Sequence, residues 1–363
     1  MKETILLIHG MWCGSWVWDN YKVFFGDRDY TCITPTLRYH DMDPNDQPDP
    51  AQGRVSLLDY AEDLETLIRK LDGPPIIIGH SMGGLLTQIL ARRGLAETAI
   101  LLTPASPSGI IALTPSVLKS FRSILTRWGF WRKPMRQTFE EADYAMLGLL
   151  PPQKKKEIYD RLVYESGRAG FEIGFWYLDS RKAARVDESK INCPMMIISG
   201  TDDKITPASV IRKIGKKYRD IATYKEYPDH AHWIMDEPGW EEIAEDTSAW
   251  IDKIMSVKRL EIQPYVEKRS YKRLGYDAPI LLNLPDSNTP SEGRMDNYSI
   301  EGVQFTSDVS LKPGATINVK FIDSAPGVRG PKPDDDYKAV VMWNKEKDGE
   351  PLYDIGARFA EIQ

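Results

Sequence analysis

Residues 75–93 read PIIIGHSMGGLLTQILARR, and their pattern decides the fold of the chain. A β-branched apolar run ends at Ile78, and from Met82 the apolar residues recur at helical spacing. Between them, residues 79–83 match the pattern G-x-S-x-G. In a strand–turn–helix setting this pattern holds the serine at a strained turn with an exposed hydroxyl, and its glycines let strand and helix approach. Ser81 is therefore a candidate nucleophile.

A serine nucleophile needs a base, and the base needs an orienting acid. With the serine in this turn, the acid and then the histidine are expected later in the chain. Residues 199–207, SGTDDKITP, follow an apolar run that ends at Ile198. Such a loop, beyond the carboxyl end of a strand, faces the ligand crevice of α/β proteins, so Asp202 and Asp203 are both candidates. We favour Asp203 and interpret Asp202 as a solvated or capping carboxylate.

The chain has five histidines. His232 precedes the last predicted helix of the α/β region and is our candidate base. His230 is the alternative, but in extended backbone its side chain would point elsewhere. His9 and His80 are interpreted as structural hydrogen-bonding residues, and no catalytic role is predicted for His40.

The sequence also predicts donors for an oxyanion. His9-Gly10-Met11-Trp12 follows the first predicted strand, and Met82 follows the candidate nucleophile. The backbone amides of Met11 and Met82 are expected to converge on the oxyanion, where each preorganised donor contributes about 3 kcal/mol.

Strands alternate with helices up to about residue 255, which predicts a mostly parallel sheet covered on both faces. Helices are predicted at 207–218, with Thr206 as N-cap, and at 239–255. Residues 107–190 interrupt the alternation with helical, aromatic-rich sequence and are predicted to form a cap. After Ser256 the pattern changes to that of an all-β domain. The predicted domains span 1–256 and 260–363, with strands in the second at 279–284, 300–306, 316–322, 337–343 and 353–359.

Composition and charge argue against several classes of protein. Hydrophobic residues make up 42% of the chain and charged residues 28%, as in globular proteins, and no apolar run is long enough to span a membrane. A net charge of −6 argues against nucleic acid as a partner. Three distant cysteines show no metal-ligand spacing and indicate a reducing compartment. With a strand predicted from Thr4, leaving no room for a signal peptide, we expect a cytoplasmic protein without a metal or catalytic cofactor.

The cap differs from the rest of the chain in charge. It holds 15 Lys and Arg against 10 Asp and Glu, a charge of +5, which leaves −11 on the remainder. This favours a substrate or surface with negative charge, such as a lysophospholipid or weak contact with a membrane; the alternative is a solvated basic face. Its aromatic residues are interpreted as cap core or as the lining of an acyl or aromatic pocket: Phe121, Trp128, Phe130, Trp131, Phe171, Phe175, Trp176 and Tyr177.

The C-terminal region carries two further clusters. Arg269 and Arg273 stand in KRSYKR, and guanidinium pairs bind phosphates bidentately and stack on bases. Asn297 and Ser299 offer hydrogen bonds, and Gly302 allows close approach of backbone. Together these residues fit an anionic purine ligand.

Residues 1 to about 255 resemble the α/β-hydrolase superfamily. The resemblance lies in HGMW at 9–12, GHSMGG at 79–84, GTDDKITP at 200–207 and DHAHWIMDEP at 229–238. It implies a serine hydrolase of the carboxylesterase or lipase type that acts on small esters or acyl compounds, and it supports Asp203 as acid and His232 as base. The segment 9–18 is also similar to plant methyl-ester esterases. A serine nucleophile excludes the dehalogenase and epoxide-hydrolase branches.

Residues 260–363 resemble the PilZ domain, a six-stranded barrel that binds cyclic di-GMP. The resemblance implies that Arg269 and Arg273 clamp the phosphates and guanine while Asn297, Ser299 and Gly302 cradle the other side. The family often has a further arginine where Lys268 stands. Fusion to a hydrolase suggests control of activity or localisation by cyclic di-GMP. The alternatives are an inactive scaffold that acts as a cyclic di-GMP-dependent binding module, and an acyltransferase or lyase on the same triad.

Overall fold

The computed structural model describes residues 3–262, 274–284, 289–299, 301–322, 336–347 and 349–360. The chain divides into two compact units, Met1–Ile262 and Gln263–Gln363.

Six strands of the N-terminal unit form one parallel sheet in the order β2-β1-β3-β4-β7-β8, and β5 pairs with β6 in a separate antiparallel ribbon. The central strands β3 and β4 are buried along their whole length, because helices cover both faces of the sheet. The strands are β1 (Thr4–Ile8), β2 (Thr31–Ile33), β3 (Ile76–His80), β4 (Thr98–Leu102), β5 (Pro134–Met135), β6 (Glu165–Ser166), β7 (Met195–Gly200) and β8 (Ala222–Tyr227).

Helices follow most of these strands, as the alternation of periods predicts. The described helices are α1 (Asp19–Gly26), α2 (Leu57–Ile68), α3 (Met82–Arg92), α4 (Pro115–Ser120), α5 (Arg122–Leu125), α6 (Phe139–Ala142), α7 (Pro152–Arg161), α8 (Gly167–Gly174), α9 (Ala208–Lys217) and α10 (Trp240–Ile262). Ser56 and Asp59 form a capping box at the start of α2. The predicted N-cap of α9 is wrong: Pro207 holds that position, and the Thr206 hydroxyl turns instead towards Asp203.

The cap lies between β4 and β7. It contains α4 to α8, the ribbon of β5 and β6, and short helical turns at Phe130–Arg132 and Trp176–Leu178. Its helices are short, and they share one hydrophobic core with the sheet.

The C-terminal unit is a closed antiparallel barrel in the order β10-β11-β14-β13-β12-β9. Its core is apolar and includes Ile280, Phe305 and Val319. The strands are β9 (Leu274–Asn283), β10 (Ser291–Ser299), β11 (Gly302–Ser307), β12 (Thr316–Phe321), β13 (Asp336–Glu346) and β14 (Tyr353–Phe359).

The predicted fold class, a mostly parallel α/β sheet with a helical cap followed by a six-stranded barrel, is confirmed. Among the described helices, none combines the length and the apolar character needed to cross a membrane.

Candidate active site

Ser81 stands at a strained turn between β3 and α3. Its backbone φ of 54° and ψ of −117° are unusual for a residue with a side chain. The surrounding backbone holds it there: its amide donates to the carbonyl oxygen of Leu102, and its own carbonyl accepts from Gly84 and Ala105. The strain is characteristic of a serine whose hydroxyl must project from the backbone.

The two glycines of the motif permit this turn. A Cβ atom on Gly79 would lie 2.3 Å from the carbonyl oxygen of Gly83, and one on Gly83 would lie 2.2 Å from the carbonyl oxygen of Ile8. Both distances are below van der Waals contact, so larger residues would force strand and helix apart. The G-x-S-x-G pattern is thus explained by packing around Ser81.

The structure brings the three predicted triad residues together. His232 Nε2 lies 3.0 Å from Ser81 Oγ, and His232 Nδ1 lies 2.8 Å from Asp203 Oδ2. All three are buried: Ser81 is 8% exposed, Asp203 4% and His232 1%. With its proton on Nδ1, directed at the carboxylate, the ring can accept the serine proton at Nε2.

Four donors meet the carboxylate of Asp203. The backbone amides of Ile205 and Thr206 donate to Oδ1, both at 2.8 Å. The Thr206 hydroxyl, at 2.7 Å, and His232 Nδ1, at 2.8 Å, donate to Oδ2. These contacts fix the orientation of the carboxylate and hence of the imidazole.

The two alternative residues lie elsewhere. Asp202 is exposed, and its backbone amide donates to the carbonyl oxygen of His230. His230 Nδ1 lies 3.5 Å from a buried carboxylate oxygen of Glu237. The geometry therefore joins Ser81 to His232 and Asp203, and to neither alternative residue.

Met11 and Met82 both line the cavity beside Ser81. Within the described residues, no acceptor pairs with either backbone amide. A Cβ atom on Gly10 would lie 2.9 Å from Ser81 Cβ, so the loop after β1 packs directly against the serine. The loop that carries Met11 and the turn that carries Met82 thus both border the cavity next to Ser81.

His9 and His80 hold backbone around the site. His9 Nδ1 donates to the carbonyl oxygen of Gly10 at 2.8 Å, and Nε2 accepts from the Leu37 amide at 3.1 Å. Because the Gly10 carbonyl and the Met11 amide share one planar peptide group, this bond also orients the amide. Burial, with nearby His40, lowers the pKa of His9 to about 3.

His80 Nε2 donates to the carbonyl oxygen of His232 at 2.8 Å. Burial lowers the pKa of His80 well below its ordinary value, and the neighbouring His232 lowers it further. His80 therefore stays neutral and supports the backbone of the candidate base.

A cavity of about 730 Å³, part of it open to solvent, lies over Ser81. The described residues that line it are uncharged, and most are apolar. Of the eight aromatic residues predicted for the cap, the lining includes Phe121, Phe130 and Phe175. Trp128, by contrast, is 86% exposed.

The sequence did not predict a buried network that lies beside the loop after β1, where the His40 ring contacts that of His9. The Tyr60 hydroxyl donates to Glu165 Oε1 at 2.8 Å, and His40 Nε2 lies 3.1 Å from Oε2. Burial alone would lower the pKa of His40, but the Glu165 carboxylate and hydrogen bonds outweigh it and raise the pKa. The network ties the loop before α2 to the cap. No local pattern could reveal it, since its members come from distant segments.

The candidate ligand residues of the barrel lie at the hairpin of β10 and β11. Tyr298 is buried in the barrel core, so its neighbours Asn297 and Ser299 lie on the outer face. Asn297 donates to Gln304 at 3.1 Å, and Ser299 pairs with Gly302 across the hairpin.

Gly302 has a structural reason of its own to be glycine: a Cβ atom there would lie 2.3 Å from the carbonyl oxygen of Ala357. The predicted phosphate-binding residues Arg269 and Arg273 lie outside the described residues.

Comparison with protein families identifies both units. Residues 5–246 match the model of the alpha/beta hydrolase family, and residues 267–363 match that of the PilZ domain. Both resemblances inferred from the sequence are confirmed. Because the first match covers more than half of the chain, the chain belongs to the alpha/beta hydrolase family.

Several solved structures share the fold of the N-terminal unit, and the proteins come from different organisms. An extracellular alpha/beta-hydrolase from a Paenibacillus species is 17% identical, with a TM-score of 0.51 over 67% of this chain and 96% of that one. The monoacylglycerol lipase of Paleococcus ferrophilus is 20% identical, with a TM-score of 0.51 over 68% and 93%. A methylesterase from Arabidopsis is 12% identical, with a TM-score of 0.53 over 69% and 99%. At these identities the likeness is one of fold.

Proposed function

We propose that this member of the alpha/beta hydrolase family is a serine esterase of the carboxylesterase or lipase type, controlled by cyclic di-GMP. Ser81 attacks the acyl carbon, His232 takes and returns the proton, and Asp203 orients the imidazole. The amides of Met11 and Met82 stabilise the oxyanion. The observation that carries this proposal is the continuous chain of contacts from Ser81 Oγ through His232 to Asp203, at 3.0 and 2.8 Å.

The reaction has two stages on this arrangement. Attack by Ser81 Oγ breaks the acyl–oxygen bond of the ester and releases the alcohol, which takes the proton held by His232 Nε2. Water, deprotonated by the same nitrogen, then attacks the acyl-enzyme and frees the acid and Ser81. In this proposal the nucleophile, the base and the oxyanion donors are groups of the chain, and the attacking water comes from solvent.

The cavity supports a substrate class as well. Uncharged residues line it, among them Val117, Ile124 and Phe175. Gly170 and Gly174 lie one turn apart on α8 and also line the cavity, where the absence of side chains leaves room for substrate. These features favour a neutral ester with an apolar acyl chain. An ionised acyl group would find no charged partner in this lining to offset the free-energy cost of its burial.

The C-terminal unit is proposed as the receptor for cyclic di-GMP, in a chain with domains at 1–256 and 260–363. The match to the PilZ domain supports this role, as do Asn297 and Ser299 on the outer face of the hairpin. Arg269 and Arg273 would clamp the phosphates. A molecule with the charge and hydrogen-bonding groups of cyclic di-GMP suits that combination.

A series of p-nitrophenyl esters of increasing chain length tests the enzymatic proposal. We expect turnover of the wild type to peak at a medium or long apolar acyl chain and to fall for a charged one. Ser81→Ala should lower kcat by about 10⁶-fold and abolish labelling by a fluorophosphonate probe. Wild-type protein that binds cyclic di-GMP but neither turns over esters nor takes the probe would instead be a binding module.

The same assay, run with and without saturating cyclic di-GMP, tests the control. Coupling between two sites typically changes affinity by about 5-fold to 150-fold. We expect a change in kcat/KM of that order for the wild type. Equal turnover in both conditions, with binding shown by calorimetry, would contradict control of activity and leave control of localisation.

A further inference from the structure

The cap exposes an unusual share of the apolar side chains of the N-terminal unit. Among the described residues of that unit, eight large apolar side chains are exposed, and seven of them lie in the cap. Trp128 is 86% exposed, Leu178 64% and Tyr177 55%. Exposed apolar groups that cluster on a protein surface mark sites of interaction.

Ring contacts connect two of these exposed residues. The Trp128 ring lies 5.3 Å from that of Trp131, which in turn lies 6.3 Å from Phe171. Phe171 stacks on Phe175 at 5.5 Å, and Phe175 contacts Tyr177 at 6.3 Å. Trp128 and Tyr177 are therefore the two exposed ends of one chain of ring contacts.

Trp131, in the middle of this chain, also lines an open depression of about 850 Å³. Four arginines, Ser180 and the indole of Trp131 line it, and the arginines are Arg54, Arg132, Arg168 and Arg181. We name this surface, together with Trp128, Tyr177 and Leu178, the cap rim.

Most of this positive charge is uncompensated. Arg168 is paired with Glu172 and Asp179, each at 2.7 Å. Arg54, Arg132 and Arg181 are exposed, and none of the three has a carboxylate partner within the described residues. Such a concentration of like charge attracts anions, and guanidinium groups bind phosphate bidentately.

Tight packing fixes the segments that supply the arginines. A Cβ atom on Gly53, beside Arg54, would lie 2.3 Å from the backbone of Lys133. One on Gly167, beside Arg168, would lie 1.8 Å from the carbonyl oxygen of Phe130. The backbone around the depression is thus held in place before any ligand binds, which lowers the entropic cost of binding.

We propose that the cap rim docks on an anionic phospholipid surface. The arginines contact lipid phosphates, while Trp128, Tyr177 and Leu178 enter the interface between headgroups and acyl chains. Basic residues beside aromatic and aliphatic ones are the combination that binds such surfaces. A cap with a charge of +5 on a chain of −6 would also orient the molecule towards an anionic bilayer.

Co-sedimentation of the full chain with vesicles tests the proposal. One set is phosphatidylcholine alone, and the other is phosphatidylcholine mixed with phosphatidylglycerol. We expect binding to the mixed vesicles that weakens as salt is added. The double variant Arg132→Gln, Arg181→Gln should bind about 25-fold more weakly, about fivefold per arginine. Trp128→Ser should also weaken binding.

Matched controls remove the same number of positive charges, or one exposed apolar side chain, outside the cap. Lys213 and Lys253 are exposed on α9 and α10, and Val23 is 64% exposed on α1. The double variant Lys213→Gln, Lys253→Gln and the single variant Val23→Ser should bind nearly as wild type. Circular dichroism and thermal unfolding establish that each variant is folded.

Three outcomes would overturn the proposal: no enrichment on the mixed vesicles, equal weakening by the lysine and arginine pairs, or calorimetric binding of dissolved glycerol phosphate without vesicle binding. The last would assign the depression to a soluble phosphate compound. Sedimentation requires no ester turnover, so its result is independent of the proposed hydrolase activity.

Discussion

The two candidate sites of this chain differ in how their residues are held. In the N-terminal unit, Ser81, His232 and Asp203 are buried and contact one another directly. On the barrel, Asn297 and Ser299 lie on the outer face of a hairpin, where Asn297 donates to Gln304 on the next strand and Ser299 accepts from the Glu301 amide in the turn. The first arrangement is fixed by the core before any substrate arrives. The second is a surface that a ligand would complete.

This difference predicts different responses to substitution. In a buried triad each group depends on the next, so removing one member should remove most of the chemistry. At an open ligand surface each contact adds to affinity, so substitution should have a graded effect.

After the loss of the nucleophile itself, the largest effect is expected at the acid of the triad. Asp203→Asn removes the charge that orients the His232 tautomer and should lower kcat by about 10⁴-fold with little change in KM. Steady-state kinetics on the best p-nitrophenyl ester measures it. Asp202→Asn is the matched control, because Asp202 is exposed and its side chain has no role in the triad. A larger loss from Asp202→Asn would reverse the assignment.

A smaller effect is expected on the barrel. Arg273→Ala should remove a charge-assisted contact with a phosphate of cyclic di-GMP and raise the Kd about 10-fold to 100-fold by calorimetry. The control is Arg294→Ala on β10, whose guanidinium is paired with the Asp277 carboxylate and exposed. Equal Kd values for wild type and Arg273→Ala would contradict the assigned clamp.

The smallest effect is a change of stability with pH. It arises at the buried site, where His9 is held in its neutral form. In the unfolded chain His9 takes up a proton near its ordinary pKa of 6.5, whereas in the folded chain it does so only near 3. Between these values the unfolded chain binds more protons, so stability falls as the pH falls. We expect the free energy of unfolding to fall by about 1 kcal/mol per pH unit below about 6 because of His9. His80 acts in the same direction.

His40 acts in the opposite direction and in another window. Its pKa is raised in the folded chain, so its contribution is complete below its ordinary pKa and is lost as the pH rises through the raised value. Urea unfolding followed by tryptophan fluorescence can measure these effects, since nine of the ten tryptophans lie in residues 1–262. His9→Gln should flatten the acid side of the profile. An unchanged slope in that variant would contradict a buried neutral His9.

The sequence pattern did not predict strand β10, in which a β-bulge alters the spacing of the buried residues. No strand was predicted at 291–299, and the next was predicted from residue 300, whereas β11 begins at Gly302. A β-bulge between Met295 and Asn297 places the buried residues Met295 and Tyr298 three positions apart. The bulge therefore breaks the alternation that identifies a strand.

The lining of the cavity was equally beyond local inference. Phe130 and Trp131 are adjacent in the sequence, yet Phe130 lines the active-site cavity and Trp131 lines the arginine depression. Thr206 has the residue type of an N-cap, but its hydroxyl bonds to Asp203. For the two rings the partners lie in distant segments, and for Thr206 a carboxylate three residues earlier takes the hydroxyl; composition cannot select between such partners.

The sequence by itself determined the parts that depend on short-range sterics. The glycines around Ser81, the order of serine, acid and histidine, and the change of period after residue 256 all follow from local residue types. Only the tertiary structure decided which carboxylate faces His232, which rings line the cavity and which arginines remain unpaired. The physical reason is that burial and hydrogen-bond partners are set by packing between segments far apart in the chain, and local residue types do not encode those distances.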